Sequence, residues 1–397
     1  MPGRRAAART PAITVTLETL LRQRIQDRGP LTVAAFMDLA LYHPVLGYYA
    51  RAAQRSGVGG DFYTSVDAGP LFGELLARLV VRMVEALGPA ARVPERFDLV
   101  EAGAGNGRLA RDVLDALAVE APASYAALRL ALVERSAAAR AAQAGVLGVH
   151  AAKVAWSAEA IQAPVQGLVY ANELLDALPC HRVRQGPEGL EELYVALDGD
   201  RLALRPGPPS SDAVAGYFER TGVSLPAGCV ADVSPAALEW VSAAARALER
   251  GWLLIIDYGR EAEELFGPSH PDGTLRGYWR HLVDAPLDRR HAGGAARPAW
   301  LARPGEQDLT YHVDLAAVRR AAVGAGLVAA GDLDQSRFLL DLGLADILAA
   351  ASGRGLADVR RRLAARALAL PGGLGSTHRA LLFAKGVPPS AVRLSRP

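Results

Sequence analysis

Hydrophobic positions follow two rhythms along the 397-residue chain. Between residues 17 and 87 apolar side chains recur every three or four positions, the spacing of helices that bury one face. A segment rich in Gly, Tyr and Asp interrupts that run at residues 42–70. From Phe97 the rhythm changes: Phe97-Asp98-Leu99-Val100-Glu101 is a short apolar run ending in an acid, followed by a glycine cluster and a helical pattern over 109–119. Similar runs recur at residues 128–133, 167–170 and 252–256, and each ends at polar residues: Glu134, then Asn172 and Glu173, then Asp257. Apolar strands alternating with helices predict an α/β fold whose parallel sheet is covered on both faces. Polar residues at strand C-termini mark where such sheets bind ligands.

Between the third and fourth strands the texture differs. Residues 183–206 alternate in short runs around Gly186, Gly189 and Asp198-Gly199-Asp200, which predicts a small β-meander. Residues 291–304, rich in Ala, Gly, Arg and Pro, read as a mobile insertion, and residues 378–385 as a last edge strand. The organisation expected is a flexible leader over 1–15, an N-terminal helical cap over 16–95, and a ligand-binding core over 96–397 with insertions at 183–235 and 291–304. Those insertions are the expected places for partner or self contacts, a homodimer included.

Composition narrows the class. Half of the residues are hydrophobic and 22% are charged, which is globular. A net charge of +2 with scattered Lys and Arg does not suggest an electrostatic nucleic-acid surface, which leaves an RNA substrate unsupported but not excluded. Two cysteines, Cys180 and Cys229, fit a reducing compartment, leave a single bridge formally open, and do not make a metal site at zinc-like spacing. No stretch reaches the roughly 20 apolar residues that span a bilayer. Arg4, Arg5 and Arg9 without an acid resemble a mitochondrial presequence, but Pro11 interrupts it, and the Ala/Arg/Gly/Leu usage points to a bacterial, cytoplasmic chain.

The chemistry begins at Glu101-Ala-Gly-Ala-Gly-Asn-Gly107. Glycines directly after a strand let the backbone turn tightly and approach a ligand, and the next helix offers free N–H groups. A dinucleotide fingerprint needs a third glycine where Arg108 stands. The form found, with an acid ending the strand, resembles motif I of class I S-adenosylmethionine-dependent methyltransferases. In those enzymes Gly103, Gly105 and Gly107 would pass beside the amino-acid portion of the cofactor, with Glu101 holding the loop and the ammonium. Glu134 can accept two hydrogen bonds from ribose hydroxyls, a role that serves nicotinamide enzymes equally.

Asn172-Glu173-x-x-Asp176 follows the third strand. Glu173 and Asp176 would share a face on a starting helical turn and suit a bidentate guanidinium partner. Helix capping by Asn172 with acids in the first turn explains the same residues. His312 lines the substrate cleft in one reading and packs in the core in the other, and Asp257-Tyr258-Gly259 either borders the acceptor or forms an edge turn.

More of the chain carries a resemblance. His43-Pro44 with Gly47-Tyr48-Tyr49, residues 56–62 with Thr64-Ser65, Leu71-Phe72-Gly73-Glu74, and residues 171–179 resemble the MidA-type family of methyltransferases. So do Ile255-Ile256-Asp257-Tyr258-Gly259, residues 273–278, and Asp308-Leu309-Thr310 with His312-Val313-Asp314. That family includes a mitochondrial arginine methyltransferase that assists respiratory complex I assembly. The resemblance covers roughly residues 40–385 in order. It implies a Rossmann-like class I methyltransferase core with a mostly parallel seven-stranded sheet, S-adenosyl-L-methionine as cofactor, and a protein arginine as acceptor, in a respiratory NADH dehydrogenase subunit or another bacterial protein. It also implies that Gly60, Asp61 and Thr64 close over the cofactor, that Asn172 joins them there, and that Glu173, Asp176 and His312 are catalytic. Val66-Asp67 departs from the family's usual Pro-Glu, and the insertion at 291–304 separates segments that are usually closer. A small-molecule acceptor, a non-catalytic assembly factor and an NAD-dependent oxidoreductase are the competing readings.

Overall fold

The computed structural model describes residues 16–50, 64–88, 94–279, 282–283, 297–370, 374–392 and 394. Its central sheet has seven strands in chain order: β1 Phe97–Ala102, β2 Leu128–Val133, β3 Val154–Ala158, β4 Val165–Asn172, β5 Leu248–Arg260, β6 Val328–Asp334 and β7 His378–Lys385. They lie side by side as β3-β2-β1-β4-β5-β7-β6. The first five run parallel to one another, and β7 runs antiparallel to both β5 and β6. A two-residue strand, Val313–Asp314, adds in parallel at the end of β5.

Two expectations change here. Residues 378–385 are an interior strand, because their side chains feed both cores: Ala380 and Leu382 face one layer, Leu381 and Phe383 the other. The edge falls instead to half-exposed β6. β3 was not expected; its five residues, alternately half-buried and exposed, carry too little apolar pattern to read as a strand.

The helices used below are α1 Leu17–Arg28, α2 Val33–Tyr42, α3 Leu71–Leu87, α4 Arg108–Glu120, α5 Ala137–Leu147, α6 Pro235–Ala247, α7 Leu315–Gly324 and α8 Leu356–Ala369. Alternation along the strands sorts the sheet's side chains. Phe97, Leu99, Leu130, Leu168 and Leu254 pack against α3, α4 and α8. Val100, Val133, Val169 and Ile255 pack against α6 and α7. At roughly 1.5–3 kcal/mol for each fully buried Val, Leu, Ile or Phe, these two layers supply the main stabilising term of the fold.

The expected meander is real and grows into a second sheet. Strands His181–Gly186, Gly189–Asp198 and Arg201–Gly207 form antiparallel hairpins, and Leu31–Thr32 and Val230–Val233 extend them. α1 and α2 lie against this sheet, with Leu21, Phe36 and Met37 buried among Leu193, Val195 and Leu204. The segment 16–95 therefore divides: α1 and α2 join the inserted sheet, whereas α3 joins the central one. Residues 297–304, expected to be mobile, hold a packed 3-10 turn in which Trp300 and Leu301 are buried in that same core. Residues 291–296 lie outside the described residues.

A third sheet sets Arg276–Trp279 between Leu282–Val283 and Asp308–Thr310. It is anchored by a buried pair in which Arg182 donates to Asp232 at 2.7 Å, while the other Asp232 oxygen accepts from the Thr274 and Leu275 amides. Cys180 and Cys229 are both free thiols.

Candidate active site

The carboxyl ends of β1, β2 and β4 open into a cleft of about 620 Å³. One side is the glycine loop. Gly103, Gly105 and Gly107 have φ of +71°, +52° and +85°, a region L side chains rarely adopt. A Cβ on Gly103 would also lie 3.2 Å from Leu174 Cδ1. The amides of Gly103 and Ala104 donate to the Val133 carbonyl, which ties the loop to β2.

Glu134 Oε2 accepts from the Gly105 amide at 2.9 Å and Oε1 from the Ser136 amide at 2.7 Å. The carboxylate is thus fixed at the cleft wall, and each oxygen keeps a further lone pair for a hydroxyl. Glu101 lines the cleft but is almost wholly buried, and accepts from the Tyr170 hydroxyl at 3.0 Å. Burial pushes its carboxyl up to about 8 against the opposing pull of that hydrogen bond.

Arg108, which stands where a dinucleotide fingerprint has glycine, is paired with Asp67. Asp67 in turn accepts from the amide and hydroxyl of Thr64 at 2.9 Å each, and both Thr64 and Arg108 line the cleft. The segment ahead of α3 is thereby docked on the cofactor loop. Gly60 and Asp61 lie outside the described residues.

The end of β4 supplies the other wall. Asn172, Glu173 and Asp176 all line the cleft. The expected helical turn does not form: Glu173 is the one non-glycine described residue with positive φ, at +52°, and only a 3-10 turn, Leu175–Ala177, follows. That turn has no side-chain cap, so Asn172 is not a helix cap. Glu173 Oε1 accepts from the Ser65 amide at 2.9 Å and from Asn172 Nδ2 at 3.2 Å, with His378 Nε2 3.9 Å away. Burial, then the charges of Asp257, Glu173 and Asp308, hold the Asp176 carboxyl well above the usual carboxylate range.

His312 does not line the cleft. Its ring packs edge-on to Tyr258 with centroids 4.2 Å apart, and Tyr258 is the lining residue. Burial, with His270, Arg260 and Arg276 nearby, pushes its imidazole down to about 3. Of the two readings of this residue, the packed one describes its surroundings.

Several lining residues had no role assigned from the sequence. Tyr42 and Tyr49 reach the cleft from α2 and the turn after it; Tyr42 donates to the Ala177 carbonyl at 2.9 Å and Tyr49 to Asp308 Oδ1 at 3.0 Å. Tyr278, Thr310 and buried Asp308 come from the third sheet, and His378 from the start of β7. The signal for Tyr49 and Asp308 was their place in the shared motifs; His378 carried none.

The arrangement tests well against S-adenosylmethionine. A fixed carboxylate faces the cleft at the end of β2, a cradle of positive-φ glycines lies beside it, and Asn172 Oδ1 is buried without a hydrogen-bond partner, an acceptor suited to an ammonium. Glu101, Gly103, Gly105, Glu134 and Asn172 would hold the cofactor. Among the described residues no cluster of His, Cys, Asp and Glu fits a metal ion.

Comparison with known proteins agrees with that cofactor. Residues 75–332 match the family described as "Putative S-adenosyl-L-methionine-dependent methyltransferase". The chain is 28% identical over 354 residues to the Mus musculus protein arginine methyltransferase NDUFAF7, mitochondrial, covering 82% of this chain and 73% of that one. It is 30% identical over 354 residues to the Drosophila melanogaster homolog, with 82% and 74% covered. A Burkholderia thailandensis protein, solved with S-adenosyl-homocysteine bound, superposes with a TM-score of 0.80 at 30% identity, covering 94% of this chain and 92% of that one.

Proposed function

Since the chain belongs to this S-adenosyl-L-methionine-dependent methyltransferase family, we propose that its acceptor is a guanidinium nitrogen of a protein arginine. The cofactor supplies a methyl group on a sulfonium, a leaving group already activated by its charge. What remains for the protein is to align the nucleophile, exclude water and shape the field.

The observation that carries the reading is the acidic wall opposite the glycine loop. Glu173, Asp176 and Asp308 line one cleft, and burial, then the negative charges of Asp257, Glu173 and Asp308, raise the cost of ionising Asp176. A planar cation relieves that repulsion and can donate paired hydrogen bonds to carboxylates. The cationic side chains Arg108 and Arg135 of the lining are engaged elsewhere, with Asp67 and Asp38. Arginine stays protonated until its pKa above about 12, so Glu173 and Asp176 orient and polarise the attacking nitrogen and take up its proton as the new bond forms.

The relatives named protein arginine methyltransferases support the same acceptor. The proposal extends to a cytoplasmic bacterial setting, supported by the composition and by the two free thiols. Among the described residues no helix is long and apolar enough to cross a membrane. Mass spectrometry of methylated arginines in cells with and without the gene tests the acceptor. Loss of a methylarginine from at least one protein is expected; an unchanged methylarginine inventory would refute it.

A further inference from the structure

Asp257 lies near the carboxyl end of β5 and is fully buried, yet it does not line the cleft. Its carboxylate nevertheless reaches across to the chain leaving the neighbouring strand, β4. Asp257 Oδ2 accepts from the amides of Leu174 and Leu175 at 3.1 and 2.7 Å. Oδ1 accepts from the Tyr258 amide at 2.8 Å. The two residues it grips from β4 lie between Glu173 and Asp176, the acids placed at the acceptor.

The local backbone explains why a grip is needed. Glu173 sits at φ +52°, and a non-glycine residue in the left-handed region costs on the order of 1–3 kcal/mol. Such a residue persists only where its surroundings over-determine it. Here the Glu173 amide donates to the Ile256 carbonyl at 2.8 Å, and the next two amides are taken by Asp257. Without the carboxylate, those buried amides lose their acceptor and the turn is free to relax toward ordinary φ. Glu173 and Asp176 would then swing relative to each other.

We infer that Asp257 is a positioning residue for methyl transfer: its side chain fixes the strained turn that aims Glu173 and Asp176 into the cleft. The inference rests on the acceptor reading above. An ordinary cap at a strand end would stabilise the fold without setting the rate. Asp257 differs because the amides it holds belong to the segment that carries the reacting acids, and because it touches neither the cleft nor the glycine loop.

The test uses the full chain, tritiated S-adenosyl-L-methionine, and as acceptor an extract of cells lacking the gene, with the label read as methylarginine. Asp257→Asn keeps the volume but puts an NH2 donor where a carboxylate oxygen accepted, and Asp257→Ser removes the group without adding a donor to face the amides. Each is measured for S-adenosyl-homocysteine affinity by titration calorimetry and for transfer rate, alone and combined with Glu173→Gln. The expected result is affinity held within about threefold while transfer falls about ten- to hundred-fold, the scale of a misplaced reacting group. Combined with Glu173→Gln, either variant should cost less than the product of the two single losses, because Asp257 acts in part through Glu173. Unchanged transfer in both variants overturns the inference, as do costs that simply multiply in the double variants. Loss of S-adenosyl-homocysteine binding in both makes Asp257 a folding residue and overturns it too. If Glu173→Gln by itself leaves transfer intact, the acceptor reading fails instead, and the two failures are told apart.

Discussion

The backbone amide of Ser65 donates to Glu173 Oε1 at 2.9 Å, joining two residues 108 positions apart beside the cleft that Glu173 lines. Ser65 is the first residue of a 3-10 turn capped by Thr64 and Asp67, and Asp67 pairs with Arg108 at the start of α4. One short segment thus connects the cofactor loop to the acid proposed to handle the acceptor.

That contact is separable by mutation. Thr64 has φ −110° and ψ 170°, compatible with a following proline, and proline suits the first position of a helical turn. Ser65→Pro removes the N–H donor, whereas Ser65→Ala removes only the hydroxyl contact to Gln335. A hydrogen bond to a charged group contributes about 1.5–3 kcal/mol, so Ser65→Pro should slow transfer about tenfold or more and Ser65→Ala far less. Initial rates of labelled methyl transfer decide this; equal rates for the two variants would count against it.

The cofactor side has its own test. Glu134→Gln places an NH2 group against either the Gly105 or the Ser136 amide and weakens acceptance of a ribose hydroxyl. S-adenosyl-homocysteine affinity should fall by about ten- to hundred-fold in titration calorimetry, again the scale of a charge-assisted hydrogen bond. Affinity equal to that of the unaltered protein would remove Glu134 from the cofactor site.

Stability of the ligand-free protein should depend on Glu101. Its folded-state carboxyl is raised to about 8 by burial, from an ordinary value of 4.5. Between those values the folded state binds the extra proton, so stability falls as pH rises. The contribution is complete below the unfolded value and is lost as pH passes through about 8. Thermal midpoints across that range should decline, and Glu101→Gln, which cannot ionise, should flatten the decline. An unchanged slope in the variant would contradict the assignment.

Trp300 tests the status of residues 297–304. It is 2% exposed among Phe36, Leu301 and neighbouring core side chains, with the Arg182 guanidinium over its ring. Trp300→Ala should destabilise the protein by about 3–5 kcal/mol. Chemical denaturation that finds less than about 1 kcal/mol would restore the picture of a loose insertion.

How far the sequence carries can be judged from particular residues. β1, β2, β4 and β5 announce themselves because each is buried on both faces over most of its length and reads as a mainly apolar run. β3 sits at an edge and lacks that run, and the interior place of β7 is a matter of pairing that periodicity does not encode. In the site, Glu101, Glu134 and Glu173 were legible as acids at strand ends, where such sheets put their ligands. Tyr42, Tyr49, Asp308 and His378 come from outside that pattern; only the fold brings them together. His312 shows the converse, since a histidine beside shared motif residues packs against Tyr258 instead of facing the cleft.

The most direct test of the account is Glu173→Gln, which keeps the side-chain volume and an acceptor for the Ser65 amide but removes the charge. Methylarginine formed from labelled S-adenosyl-L-methionine should fall by at least about a hundredfold, in the range of general acid–base effects. S-adenosyl-homocysteine binding, measured on the same preparation, should stay within about threefold, because the cofactor is held by other groups. Unimpaired methylarginine formation with normal binding would contradict the proposed role of the acidic wall.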